Sequence, residues 1–298
     1  MKQLILIVLL MFAFQSFSQD LETYTYAIKG KDTLKMDVYS PKRIKKKDSL
    51  PVVLWMHGGG FSGGSRANPD EVRLMEYLTE NGFIGISISY RLLRKGKPTG
   101  FGCECTKEEK RFIFANAAID YLDAANYVFN NAKQLKIDTS KIIAGGSSAG
   151  AEGMLSAVFM KDYFMADAAR YQHLKFAGVW SLAGALMDVN YITKTNAIPT
   201  VMFHGTADNL VPFGIAPHHF CKMQQPGYMI LYGSKPITEK LDELGTSYYL
   251  HKVIGGGHEL SSIPFDQLDT LLEFINKTML NSEVIQTEKI ITKSILQK

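Results

Sequence analysis

Lys141-Ile142-Ile143-Ala144-Gly145-Gly146-Ser147-Ser148-Ala149-Gly150 is the stretch that decides how this chain folds. Its apolar first half reads as a strand buried on both faces, and the G-x-S-x-G half that follows reads as a sharp turn into a helix beginning near residue 151. In such a turn the central serine occupies a strained backbone position, and the flanking glycines let strand and helix approach closely beneath it. Ser148 is therefore the candidate nucleophile. Ser147 is its decoy, expected to point away from the tip. Without its flanks, the pentapeptide would also suit a glycine-rich helix start capped by either serine.

Outward from this stretch, strand and helix signals alternate. Apolar runs at 51–56, 83–90, 176–181, 199–204 and 248–254 are short and nearly continuous, as parallel strands covered on both faces require. Two further strands, at 23–28 and 33–38, read as an antiparallel entry. Helices are predicted over 70–80, 109–135, 151–161 and 265–276. The second of these carries Ile113, Ala117, Leu122, Ala125 and Phe129 roughly on one face. The alternation predicts an α/β domain with a mostly parallel sheet of about eight strands, helices on both faces, and a ligand site beyond the carboxyl ends of the strands. The domain is expected to occupy residues 19–280, and 281–298 reads as a tail or a peripheral helix.

The ends and the composition narrow the function classes. Lys2, an apolar run over 4–14 and the small residues Ser16 and Ser18 read as a signal peptide over 1–18 cleaved before Gln19. The run is too short to span a bilayer, so the mature chain is expected to be secreted or periplasmic, with no stable membrane insertion. A formal net charge of +4 is too small to argue for nucleic acid. The glycine loops lack phosphate-binding fingerprints and the Cys103-Glu104-Cys105 triplet has no second ligand pair, so no cofactor and no metal is expected. A bridge from Cys103 or Cys105 to Cys221 would pin the loop around residue 103, and the spacing does not choose between them. Oligomeric state is not legible.

Four segments, each placed after its own strand, carry a family resemblance. His57-Gly58-Gly59-Gly60-Phe61 is similar to the oxyanion loop of lipases and carboxylesterases, and Ser89-Tyr90-Arg91-Leu92 to the strand end that follows it. Gly205-Thr206-Ala207-Asp208 and Gly256-Gly257-His258 resemble the segments bearing the acid and the base. With Ser148, these segments resemble the α/β-hydrolase family over about residues 35–276, in its small secreted esterase branch, carboxylesterase or hormone-sensitive-lipase-like. The resemblance implies a triad of Ser148, Asp208 and His258, with the backbone N–H groups of Gly59, Gly60 and Ala149 as oxyanion hole. His57 and Gly58 would order that loop. The chemistry asks for the same groups: a serine hydroxyl needs a base to take its proton, the base needs an orienting carboxylate, and the tetrahedral oxyanion needs converging donors.

Substrate signals are weaker. Between Ser148 and Asp208 there is room only for a helix, a strand and an excursion at 187–197, so little or no cap is expected. Phe61, Phe101, Phe213 and Tyr232 are the candidate pocket residues. A shallow aromatic cleft suits a small-molecule ester or an esterified carbohydrate. The expected activity is therefore that of a serine carboxylic-ester hydrolase on short-chain, aryl or carbohydrate-linked esters. A serine peptidase of the same fold and an inactive hydrolase-fold binding module are the alternatives. His204, His251, His218 and His219 are assigned to packing or surface.

Overall fold

The structure, a computed structural model, describes residues 20–293. The signal-peptide reading over 1–18 lies outside those residues. A hairpin opens the fold: β1 (Asp20–Lys29) turns at Gly30, with φ +61°, into the antiparallel β2 (Asp32–Ser40). Then come β3 (Leu50–Met56), α1 (Pro69–Glu80), β4 (Ile84–Ile88), α2 (Lys107–Asn130), α3 (Ala132–Leu135), β5 (Ile137–Ser147), α4 (Ala149–Phe159) and α5 (Lys161–Phe164). The second half runs β6 (Gly178–Leu182), β7 (Thr200–Gly205), β8 (Ile215–Pro217), β9 (Ile230–Tyr232), α6 (Ser234–Glu243), β10 (Tyr248–Ile254), α7 (Leu268–Ile275) and β11 (Gln286–Thr292).

Nine strands form the main sheet in the order β1-β2-β4-β3-β5-β6-β7-β10-β11, and β8 and β9 form a separate antiparallel ribbon. From β4 to β11 every pairing is parallel. The α/β, mostly parallel architecture is as expected, and the described residues include no large cap. Two sequence expectations need correction. Residues 286–292 are neither tail nor peripheral helix: they pair with β10 from Tyr248↔Gln286 to Ile254↔Thr292, so the sheet has nine strands among the described residues and the domain runs past residue 280. The helix expected over 109–135 is interrupted at Asn131, and α3 ends on Lys136 in the left-handed region at φ 60°.

The alternation of side chains along a strand splits the core in two. From β3, Val52, Leu54 and Met56 join the layer under α2 and α4 with Ile113, Ala117, Tyr121 and Met154. Val53 and Trp55 point the other way, to Leu74, Leu78, Trp180, Leu271 and Ile275 under α1 and α7. Trp55 and Trp180 meet edge to face at 5.3 Å, and truncating either would cost about 3–5 kcal/mol. Tyr121 ties the two central strands to α2: its hydroxyl donates to Leu54 O at 2.7 Å and accepts from Gly145 N at 3.1 Å. That fixes β5 immediately before the turn on which the site is built.

Candidate active site

Ser148 stands between β5 and α4 at φ 50°, ψ −123°, a conformation an L-residue adopts only when its surroundings force it. The glycines around it explain how the turn closes. A Cβ on Gly150 would lie 2.1 Å from Met56 O, and one on Gly146 2.7 Å from the Gly150 carbonyl carbon. The strained turn lifts the hydroxyl toward the end of β10. There His258, on the turn after Gly255-Gly256-Gly257, places Nε2 2.8 Å from Ser148 Oγ. His258 Nδ1 is 2.8 Å from Asp208 Oδ2, beyond the end of β7. Ser147 points elsewhere, its Oγ donating to Ser261 O at 2.7 Å.

Asp208 is held firmly as an anion. Burial alone would raise its carboxyl, but hydrogen bonds from His204 and His258, the charge of His258 and the backbone N–H of Leu210 outweigh it and hold the group well below the usual carboxylate range. Leu210 N and Val211 N both donate to Oδ1, at 2.9 and 3.0 Å. His204, assigned from sequence to packing or surface, is fully buried and helps the acid: Nε2 lies 3.4 Å from Asp208 Oδ2, and Nδ1 lies 2.8 Å from Ser234 Oγ.

Gly59 and Gly60 follow β3 with φ +123° and +59°, and the loop closes through Ser62 N and Gly63 N, both donating to Gly59 O. The first turn of α4 adds the N–H of Ala149, which has no acceptor within its helix. These residues, Gly58 and Ser148 share one cleft of about 320 Å³. His57 lies behind the loop against Tyr90, with ring centroids 4.6 Å apart, and Tyr90 Oη donates to His57 O at 2.9 Å. Burial pushes the His57 imidazole below its ordinary value.

Of the four aromatic pocket candidates, only Phe101 lines this cleft. Phe61 is fully buried behind it, 4.7 Å from the Phe101 ring. Phe213 packs edge-on against His204, and Tyr232 is bound through its backbone to Leu186, so neither forms the wall expected of it. The strap that carries β8 and β9 instead contributes His218 and His219, while α4 contributes Glu152. Sequence reasoning missed Glu152, although its place in the first turn of the helix that follows Ser148 was a usable signal. Cys103 and Cys221 are joined, with an S–S distance of 2.08 Å and Cα atoms 5.3 Å apart, and Cys105 remains a free buried thiol that burial pushes up to about 11.

A parallel sheet entered by an antiparallel hairpin, with serine, acid and histidine beyond β5, β7 and β10 in that order, settles the architecture. The chain has the α/β-hydrolase fold. A family model described as BD-FAE matches residues 36–173. Fumonisin B1 esterase of Sphingopyxis macrogoltabida is 32% identical over 128 residues, covering 42% of this chain and 22% of that protein. Gut esterase 1 of Caenorhabditis briggsae is 35% identical over 124 residues, covering 41% and 20%. This chain thus spans about a fifth of the length of these curated relatives. Among solved structures, Thermogutta terrifontis esterase 2 phosphorylated by paraoxon superposes with a TM-score of 0.65 at 20% identity, over 86% of this chain and 94% of that one.

Proposed function

We propose that this chain is a serine carboxylic-ester hydrolase acting through an acyl-enzyme on small esters, whether short-chain, aryl or carbohydrate-linked. The observation that carries the reading is the unbroken relay from Ser148 Oγ through His258 to Asp208, with both steps at 2.8 Å. As Ser148 Oγ attacks the ester carbonyl, His258 Nε2 takes its proton, and Asp208 holds the ring and stabilises the imidazolium. The N–H groups of Gly59, Gly60 and Ala149 receive the developing oxyanion. His258 then returns the proton to the departing alkoxide, and water repeats the sequence to release the acid. The esterase and lipase names of several matched relatives, and the phosphorylated state of the structural neighbour, support the same chemistry. Export with cleavage before Gln19 belongs to the proposal, and the Cys103–Cys221 bridge agrees with an oxidising compartment.

A fluorophosphonate probe tests this directly. It should label the wild-type protein at Ser148 and leave Ser148→Ala unlabelled, and that variant should lose roughly 10⁶-fold in kcat on p-nitrophenyl acetate. Labelling at Ser147, or undiminished turnover by Ser148→Ala, would overturn the assignment.

A further inference from the structure

Glu152 sits one turn along α4 from Ser148 and lines the cleft with 1% of its surface exposed. Facing it from the strap is His218, fully buried, with Nε2 3.4 Å from Glu152 Oε1. That approach is not a hydrogen bond: Glu152 Oε1 and both ring nitrogens of His218 have no partner. Buried polar atoms are nearly always paired, so three orphans on two residues that line the same cleft call for a ligand.

The surrounding charges say which ligand chemistry fits. Lys110 approaches from α2, buried, with Nζ donating to Gly227 O at 2.7 Å, and its charge acts on Glu152. The charges of Asp208 and His258 act on His218. Burial holds His218 well below the ordinary imidazole value, and burial with the charge of Lys110 brings His219 down to about 4. A neutral imidazole offers one donor and one acceptor, and burial raises the Glu152 carboxyl to about 8, so near neutral pH it keeps its proton and offers a donor as well as acceptors. An anionic group would meet the charge of Asp208, an ammonium would meet Lys110, and a methylene would leave every orphan unpaired. A hydroxyl both donates and accepts.

We propose that Glu152 and His218 form a subsite that takes a hydroxyl group of the substrate, carried a few atoms from the scissile carbonyl. The inference rests on the ester-hydrolase reading above and narrows its substrate class to hydroxylated esters. The hydroxyl can belong to the acyl group or to the alcohol, and two matched pairs separate these sources: ethyl butyrate against ethyl 3-hydroxybutyrate, and propyl acetate against glycerol monoacetate.

After division by each ester's alkaline hydrolysis rate, wild-type kcat/KM should favour the hydroxylated member of at least one pair by about tenfold or more. That ratio should fall at least about fivefold in Glu152→Leu and in His218→Phe, because each removes part of the donor and acceptor set. A ratio near one in both wild-type pairs overturns the subsite, as does a ratio that both variants retain. Preference for ethyl 4-aminobutyrate over ethyl butyrate that disappears in Glu152→Gln would also overturn it, making this a cation site. If His218→Phe fails to fold, the wild-type ratios and Glu152→Leu still decide. Loss of Ser148 labelling and of all ester turnover in the wild type would instead sink the hydrolase reading; a flat ratio with normal turnover sinks only the subsite.

Discussion

Opening the Cys103–Cys221 bridge should be felt both in stability and in the cleft. The bridge spans 118 residues and encloses α2, the Ser148 turn, and strands β5 to β7. Loop-closure entropy for a ring of that size sets an upper figure of about 5 kcal/mol at 25 °C, and measured disulfides more often contribute about 2–4. At about 2–4 °C per kcal/mol for a domain of this size, Cys103→Ser/Cys221→Ser should melt roughly 5–20 °C lower than the oxidised wild type. Serines avoid leaving a thiol to exchange with the buried Cys105. Two non-glycine residues in the left-handed region, His219 at φ 55° and Phe220 at φ 51°, directly precede Cys221. Each costs about 1–2 kcal/mol to hold there, so opening the bridge lets them relax and carries His219 out of the cleft wall. Calorimetric melting, with and without reductant, and kcat/KM on p-nitrophenyl acetate would follow both effects. A melting point within about 2 °C of wild type, with kcat/KM unchanged, would refute the reasoning.

His258→Ala should lose nearly as much turnover as Ser148→Ala, whereas Asp208→Asn, which leaves the base in place but poorly oriented, should cost about 10⁴-fold. Single-turnover assays on one chromogenic ester separate the cases, and a fully active Asp208→Asn would require a different acid. Burial raises the Glu152 carboxyl from 4.5 to about 8, so between those pH values the folded chain holds a proton that the unfolded chain has lost. Native stability therefore falls as pH rises through that window. Glu152→Gln should remove the fall, a relative gain of at most about 5 kcal/mol between pH 4 and pH 9 in urea unfolding. Equal differences from wild type at both ends would count against it.

Much of this site was legible because local rules dictate it. A strand followed by Gly146-Ser147-Ser148-Ala149-Gly150 has few ways to turn without the close approach of Gly150 to Met56 O, and the order serine, aspartate, histidine beyond successive strands follows from the alternation of elements. The reading failed where a residue's role is set by distant neighbours. β11 is an edge strand whose outer side faces solvent, so Ile290 and Ile291 are exposed and no apolar alternation marks it. Phe213 and Tyr232 belong to a strap whose side-chain directions depend on what it packs against, His204 in one case and Leu186 in the other. Glu152 and His218 meet only because the strap folds back over α4, and no spacing encodes that contact.

The strand order also decides where anything attached to the chain would sit. Asp20 and Thr292 lie on opposite edges of the sheet, about 38 Å apart across eight interstrand steps. They lie at opposite ends of the strands as well. Asp20 pairs with Ser40, far from the cleft, while Thr292 pairs with Ile254, and Lys293 forms an ion pair with Glu259 on the turn that carries His258. A carrier or solid support joined ahead of Asp20 would leave the mouth of the cleft free, whereas one joined just beyond Lys293 would crowd it. A segment joining Asp20 directly to Thr292 would need more than about eleven extended residues, because these two positions do not meet.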